Sequence, residues 1–485
     1  MTNLKDQLQC EYLIIGSGAG GSTVAFELQK RNQNFIIIEE GINPENLSDT
    51  IADNINDLYY NNGATPMISD NNGPVIGYGQ GRCVGGSTYV NAGYFSLTSE
   101  EIFHSWYSNK LLNIEYSSYL NLINEIRSEI NVEQSNLDSF KDRDSLELKK
   151  GSDLMNWKIE RCDRFLKNCQ RNNMCPIGCP SDSKQSMNNT YLKKVTNENN
   201  IFYNLKVVKI MHKSDFAYLA IAICTVTKKK ISFYFKNLFL SLGPINSFGL
   251  LKKNKLITPF KRNSFEFHIN FKFIVKFKKN INANMSTVSQ FFVREFEKEG
   301  VLISASNSEI PYLLSSSSQY HIDVIKDIYK NFEKYAMYVY QIKAYSKGNI
   351  NNFFGNNFVK YSFDDRDRDQ IIKAIKRINR LFSNLDIEFI LYPVEYSDPI
   401  KSNSDCDKLI ESLNIKHLHL VSVHGMSSLN KSLDNNYDYI DFDGKLKNFK
   451  NIHICDSSIL PTNTGESPQA TIMSLVKSNV KKYKL

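Results

Sequence analysis

The sequence predicts an α/β chain that also carries an α+β region, on three observations. A short apolar run, a glycine-rich turn and a helical stretch open the chain and lead into a second apolar run. Further on come two long aromatic and β-branched segments, "FEFHINFKFIVKF" and "YAMYVYQIKAY". After them, residues 366–383 set Ile371, Ile372, Ile375, Ile378 and Leu381 on one helical face.

The opening segment reads "EYLIIGSGAGGSTVAFELQKRNQNFIIIEEG". Tyr12–Ile15 has the continuous apolar character of a strand buried on both faces, and Phe35–Ile38 repeats it. Between them Gly16, Gly18 and Gly21 follow the pattern G-x-G-x-x-G, and residues 22–30 have helical composition. Placed between a strand and a helix, this spacing has a physical meaning. Gly16 allows a tight turn, Gly18 lets a diphosphate approach the backbone, and Gly21 lets helix pack on strand. The helix N-terminus offers unpaired N–H groups to phosphate. Glu39, at the end of the second strand, is placed to accept hydrogen bonds from a ribose diol. These residues predict an adenine dinucleotide site, without separating FAD from NAD.

The bulk numbers narrow the function classes. The chain has 485 residues, 41% apolar composition and a formal net charge of +8, which is slight for its length. Its lysines are scattered apart from Lys228–Lys230 and a basic C-terminus, so no nucleic-acid groove is expected. No apolar run reaches the roughly 18 residues that a membrane span needs, and the N-terminus lacks a signal-like apolar core. The expectation is a cytoplasmic protein without a transmembrane segment, with peripheral membrane association left open. Nine cysteines, an odd count, suit a reducing compartment better than a disulfide framework.

"GRCVGGSTYVN" starts at Gly81 and is rich in glycine but poor in charge. It has the character of main chain lying against a wide flat group. Gly81, Arg82, Gly85, Gly86, Ser87, Thr88 and Asn91 resemble the first signature of the glucose–methanol–choline (GMC) family of flavoprotein oxidoreductases, G-R-x-x-G-G-[ST]-[ST]-x-x-N. The resemblance continues in order along the chain. "NLKVVKI" is similar to the strand that passes the adenine, with Val207 as backbone contact. "KNLFLSLGPINSFGLLKKN" resembles the second signature, with its turn at Gly243 and Ser247. "IHICDSSILPTNTGESPQATIMSL" resembles the C-terminal motif, with Asp456 beside the ribityl–phosphate region of the flavin.

The resemblance implies a discontinuous Rossmann-like FAD-binding domain and a substrate domain whose antiparallel sheet is backed by helices. It implies segments 1–100, 191–260 and 405–485 for the FAD-binding domain, 101–190 for a connecting lid, and 261–404 for the substrate domain. It further implies oxidation of a CH–OH group of an alcohol or sugar by proton abstraction and hydride transfer to flavin N5.

His424, in "LVSVHGMSSL", resembles the family's catalytic histidine, although Ser427 stands where glycine is usual. His417 and His419 are expected to be scaffold, and His453 core. The family's second His or Asn is replaced by Ser467, followed by Pro468. Ser467 can orient a substrate hydroxyl, and Ser-Pro equally suits a helix opening. The helix after Pro468 would turn its positive end toward the flavin pyrimidine. Glu466 and Gln469 border the same place.

Cys169, Cys175 and Cys179, with Cys162 just before them, have spacing suited to thiolate ligation. They resemble the iron–sulfur segment of GMC sugar dehydrogenases, whereas "GCPSDSKQS" is also similar to long-chain alcohol oxidases, for which packed thiols are expected. The cysteines thus leave open an iron–sulfur subunit passing electrons to a partner, and Ser467 with the altered H-G-M-S-S string leaves open a flavin-binding protein that has lost catalysis. The substrate and the electron acceptor stay open at this stage.

Overall fold

The computed structural model describes residues 6–45, 47, 50–195, 200–258, 265–306, 308–353, 355–429 and 438–483. Five strands form an all-parallel sheet in the order Ile452–Ile454, Asn237–Leu240, Tyr12–Ile15, Phe35–Ile38 and Ile201–Phe202. Its members come from both ends of the chain and from near residue 200. The apolar runs YLII and FIII are buried throughout, as strands covered on both faces must be. A smaller sheet beside it joins Leu205–Lys213, Phe216–Cys224 and Lys230–Tyr234 as an antiparallel meander, with Gln7–Gln9 added in parallel.

The first helix spans Ala19–Gln29, so it begins earlier than its composition indicates and places Gly20 and Gly21 in its first turn. The cause is tertiary. A Cβ at Gly20 would lie 1.5 Å from the Cys455 carbonyl oxygen, and one at Gly21 would lie 2.0 Å from the Gly16 oxygen. Only glycine lets this helix sit so close to the neighbouring strand end.

The third sheet has twelve strands and is built around Glu266–Phe277, which pairs antiparallel with Tyr335–Lys343 over nine register positions. Val301–Ala305 and Phe291–Val293 extend it on one side. Strands from distant segments complete it. Thr65–Ser69, Ile76–Tyr78, Leu420–Ser422 and Gly425–Met426 all join it, so segments 1–100 and 405–485 each supply both the parallel and the large sheet. The predicted amphipathic helix is present as Asp365–Phe382, started by the Asp364 side chain accepting from Arg366 N–H. Its Ile371, Ile375, Ile378 and Leu381 are buried, each contributing about 1.5–3 kcal/mol of apolar burial.

Among the described residues, no helix is long and apolar enough to cross a membrane. One large cavity lies where the parallel and the large sheet meet. Gly16, Glu39, Ser241 and Asp456 line it, and each follows closely on the last residue of a parallel strand. Ligands of open α/β sheets bind at that carboxyl edge.

Candidate active site

The dinucleotide end of the cavity is made of main chain. Gly16 has φ +97°, and a Cβ there would lie 2.2 Å from the Ser241 carbonyl oxygen. Gly18 differs from its neighbours. It has ordinary backbone angles, and a Cβ on it would find only the Gly86 Cα, at 4.0 Å. Space is therefore kept open in front of Gly18. The N-terminus of helix Ala19–Gln29 opens there with no side chain capping it and no acid in its first turn. Such a terminus has orphan N–H groups and a partial positive charge, which suits a diphosphate.

Glu39 is buried at the end of its strand. Its Oε2 accepts from Ser17 N–H at 3.1 Å and from Ser17 Oγ at 2.7 Å, and its Oε1 accepts from Gly41 N–H at 2.9 Å. Burial pushes its carboxyl above the usual carboxylate range, against these hydrogen bonds. Glu39 thus closes the turn around the site as well as facing it.

The stretch that starts at Gly81 folds onto the first turn. Gly85 N–H donates to Ser17 Oγ at 3.0 Å, and Gly86, at φ +53°, lies so near Gly18 that a Cβ on it would be 3.0 Å from the Gly18 Cα. Gly86, Ser87 and Asn91 line the cavity. Asn91 Nδ2 donates to Gln469 Oε1 at 2.7 Å, which ties the loop to the C-terminal helix. Gly243 and Asp456 line the cavity too, and they are bonded to each other. Asp456 Oδ2 accepts from Gly243 N–H at 3.0 Å and Ser247 Oγ at 2.5 Å, while Oδ1 accepts from Ser458 N–H and Oγ. The carboxylate therefore staples the second signature to the third. Burial raises its pKa despite the four donors.

Two expected contacts fall outside the cavity lining. Val207 is buried between strands, opposite Ala222. Arg82 is partly exposed, with Nε 3.4 Å from Glu40 Oε1. Gly21 does not line the cavity either, but its packing against the Gly16 oxygen is the role its position predicts.

At the other end the cavity is walled by side chains. His424 lines it, just after the strand Leu420–Ser422. Its Nδ1 is 2.8 Å from Nδ1 of His268, with the rings edge to face at 5.0 Å. His268 is completely buried and its Nε2 has no hydrogen-bond partner, although the Asn463 side chain lies near enough to favour its protonated form. Burial pushes the His424 imidazolium down to about 4, and burial together with His424 pushes His268 well below the usual histidine range. Both rings are neutral at neutral pH.

His268 was not a candidate from the sequence, yet a signal exists. In "FEFHINFKF" the apolar residues Phe267, Ile269, Phe271 and Phe273 alternate with Glu266, His268, Asn270 and Lys272. A polar row along a fully internal strand marks a face turned toward a cavity.

Ser467, Pro468 and Glu466 line the cavity beside these rings. The helix that follows spans Gln469–Lys482, Pro468 stands at its N-cap position, and no side-chain cap hydrogen bond is made. The Ser467 hydroxyl is thus not used on the helix. Glu466 is buried and pairs with Arg294 at 2.6 Å through Oε1, leaving Oε2 without a partner. His453 is core, stacked on Phe239 and edge-on to Tyr483, and His417 and His419 are exposed away from the cavity.

The cysteines do not converge. Among the described residues no three His, Cys, Asp or Glu side chains are grouped to hold a metal, and all nine cysteines are free thiols. Their segment instead places two fully buried cations behind the 89–92 turn. Arg164 donates to the Ala92 carbonyl at 2.6 and 3.0 Å and lies 3.3 Å from Cys175 Sγ. Lys184 Nζ donates to the carbonyls of Tyr89, Asn91 and Cys175, and burial lowers its pKa to about 8. Both cations hold the 89–92 turn in place.

Two models of the family described as GMC oxidoreductase match the chain, one over residues 10–256 and one over 358–475. A GMC-type oxidoreductase of Sinorhizobium fredii, named as uncharacterized, is 23% identical, covering 98% of this chain and 94% of that one. A long-chain-alcohol oxidase of Arabidopsis thaliana is 19% identical over 96% of this chain and 67% of its own. Among solved structures, formate oxidase of Aspergillus oryzae, in a study of FAD modification, superposes with TM-score 0.75 at 12% identity and 99% coverage of both chains. Pyridoxine 4-oxidase of Mesorbium loti superposes with TM-score 0.74 at 12% identity, covering 98% of this chain and 99% of that one.

Proposed function

The chain belongs to the GMC oxidoreductase family, and from that premise we propose that it binds FAD and oxidises a CH–OH group with His424 as the base. The observation that carries this reading is His424, backed at Nδ1 by the buried His268, in the same cavity as the open space before Gly18. The residues present fit the cofactor. Gly18 and the uncapped N-terminus of helix Ala19–Gln29 would hold its diphosphate, Glu39 its adenosine ribose, and Gly86, Ser87 and Asn91 would border its ring. When bound, FAD supplies the acceptor for the hydride leaving the carbinol carbon.

The remaining chemistry is a proton transfer, and the chain's own residues account for it. A neutral imidazole has one N–H. For His424 Nε2 to accept the alcohol proton, its Nδ1 must carry hydrogen and donate to Nδ1 of His268. His268 then bears its own hydrogen on Nε2. Once His424 is protonated, the same Nδ1–H bond stabilises the imidazolium, and no second proton enters the buried ring. The Ser467 hydroxyl, not engaged in capping, is available to orient the substrate oxygen. The uncapped N-terminus at Pro468 favours negative charge in the cavity by about 0.3–1 kcal/mol.

The test is anaerobic mixing of the yellow holoprotein with a panel of primary alcohols, watching the flavin absorbance bleach. His424→Ala, with FAD content unchanged, is expected to slow bleaching about 100-fold or more, as loss of a general base does. Unchanged bleaching in that variant removes His424 from the mechanism. Reduction by dithionite but by no alcohol, in the wild-type protein, identifies a flavin-binding protein without this activity.

A further inference from the structure

The floor of the substrate end can be read from strand register. Lys272 lies opposite Val339, Val339 opposite Ser304, and Ser304 opposite Phe292. One row back, Asn270 lies opposite Gln341, and Gln341 opposite Leu302. All seven line the cavity. Side chains on a pleated sheet alternate faces, so these two rows form one continuous surface. Val339, Leu302 and Phe292 give it apolar area, with Ser304 and Gln341 set among them. Lys272 and Asn270 form one edge, and Lys272 is the charged residue there.

Lys272 differs from the other cations around the sheet. Lys276, two same-face positions further along the strand, pairs with Asp327 at 2.7 Å and Glu388 at 3.0 Å. Arg294 pairs with Glu466, Glu297 and Glu160. Lys272 has no carboxylate within ion-pair distance among the described residues. Its Nζ donates to Tyr312 Oη at 2.7 Å and lies 4.7 Å over the same ring. Tyr312 itself lines the cavity. Beside Lys272, Asn270 is buried with Oδ1 unpartnered. A half-buried ammonium at the wall of a cavity, with no carboxylate beside it, can make a charge-assisted hydrogen bond to an anion that enters with the ligand.

We propose that the substrate is an alcohol with an apolar body and an anionic group at its far end, and that Lys272 with Tyr312 receives that group. The inference rests on the reading that His424 marks the reacting carbon. His268, which touches His424, is four residues from Lys272 along one strand, or roughly 13 Å at the usual rise. An extended chain of about that length spans the distance. A medium-chain hydroxy acid with its hydroxyl at the end remote from the carboxylate meets the description. A short or cationic alcohol does not.

The experiment uses the FAD-loaded full chain and three probes of equal length: 10-hydroxydecanoate, 1-decanol and 10-amino-1-decanol. The hydroxy acid is expected to bleach the flavin with kcat/KM at least about tenfold above the neutral alcohol, the value of one charge-assisted contact. The amino alcohol is expected to be the poorest. Lys272→Met should bring the acid-to-alcohol ratio close to one, and Lys272→Arg should keep it. A second measurement does not depend on turnover. Decanoate, which has no hydroxyl, is titrated into the oxidised holoprotein and the shift of the flavin spectrum is read. Its dissociation constant is expected to rise at least about tenfold in Lys272→Met. Equal decanoate binding by both proteins, or no preference for the hydroxy acid in the wild type where both alcohols react, overturns the proposal. Lys272-dependent decanoate binding without oxidation of any alcohol upholds the anion site and overturns the alcohol reading instead.

Discussion

At one end of the cavity the protein presents main chain, and at the other it presents side chains. Around Gly18 the ligand-facing groups are amides at strand ends and helix starts, and their spacing is set by missing Cβ atoms. Around His424 they are an imidazole, a carboxylate, amides and an ammonium carried on segments that are distant in sequence. The first design tolerates no added atom where backbones touch, and it is nearly indifferent to side-chain chemistry. The second depends on which residues happen to be opposite one another across a sheet.

The widest separation between the two regions comes from adding one methyl group. Gly20→Ala places a Cβ 1.5 Å from the Cys455 carbonyl oxygen, and the expected outcome is loss of a cooperative melting transition and of soluble protein. Gly18→Ala meets nothing closer than 4.0 Å, so the protein without cofactor should fold and melt as the wild type does while FAD affinity falls at least about tenfold. Calorimetry with and without FAD checks both. Equal FAD affinity in Gly18→Ala would falsify the diphosphate site.

At the side-chain end, His268→Leu removes the partner that holds the His424 tautomer. The expected loss is about tenfold in kcat with little change in KM, the scale of one hydrogen bond to a group that becomes charged. His268→Asn, whose side-chain oxygen can accept from Nδ1–H, should recover most of it. A uniform loss in both variants, tracking a lower melting temperature, would make His268 a packing residue only.

The pH dependence follows from the same pair. With the His424 imidazolium pushed down to about 4, the base is free above that value, so bleaching by an alcohol should be flat near neutrality and fall only as pH approaches 4. The low-pH fall should vanish in His424→Ala. Folding stability should move in the same direction. Unfolded histidines take up protons near 6.5 and the buried ones do so lower, so this contribution is complete above about 6.5 and is lost as pH falls from there toward 4.

The smallest expected effect is that of Ser467→Ala. A lost N-cap costs about 1 kcal/mol, but this serine does not cap its helix. Thermal stability should therefore change by no more than about 0.5 kcal/mol, and any loss should appear in turnover.

Much of the backbone end was legible before any coordinates. The strands Tyr12–Ile15 and Phe35–Ile38, the glycine turn between them and the glycine-rich loop at Gly81 are local patterns, and each is found where its composition places it. Gly20 was missed because its reason lies with Cys455, at the other end of the chain. Val207 and Arg82 were carried over from a motif; in this chain Val207 lies opposite Ala222 and Arg82 lies beside Glu40, and neither side chain lines the cavity. The cysteine spacing suggested ligation, but among the described residues the thiols form no group that could hold a metal, and Arg164 and Lys184 of the same segment donate to backbone carbonyls.

By itself the sequence determined the family and the parallel-sheet edge with its glycine-lined turn, and it marked His424 as the candidate base, because each depends on residues adjacent in the chain. Only the tertiary structure decided that His268 pairs with His424, that Asp456 joins Gly243 to Ser458, and that Lys272 faces the cavity with no acid beside it among the described residues. Those outcomes rest on strand register and on the meeting of segments hundreds of residues apart. Local pattern carries no information about either, since a strand shows which residues share a face but not what stands across from it.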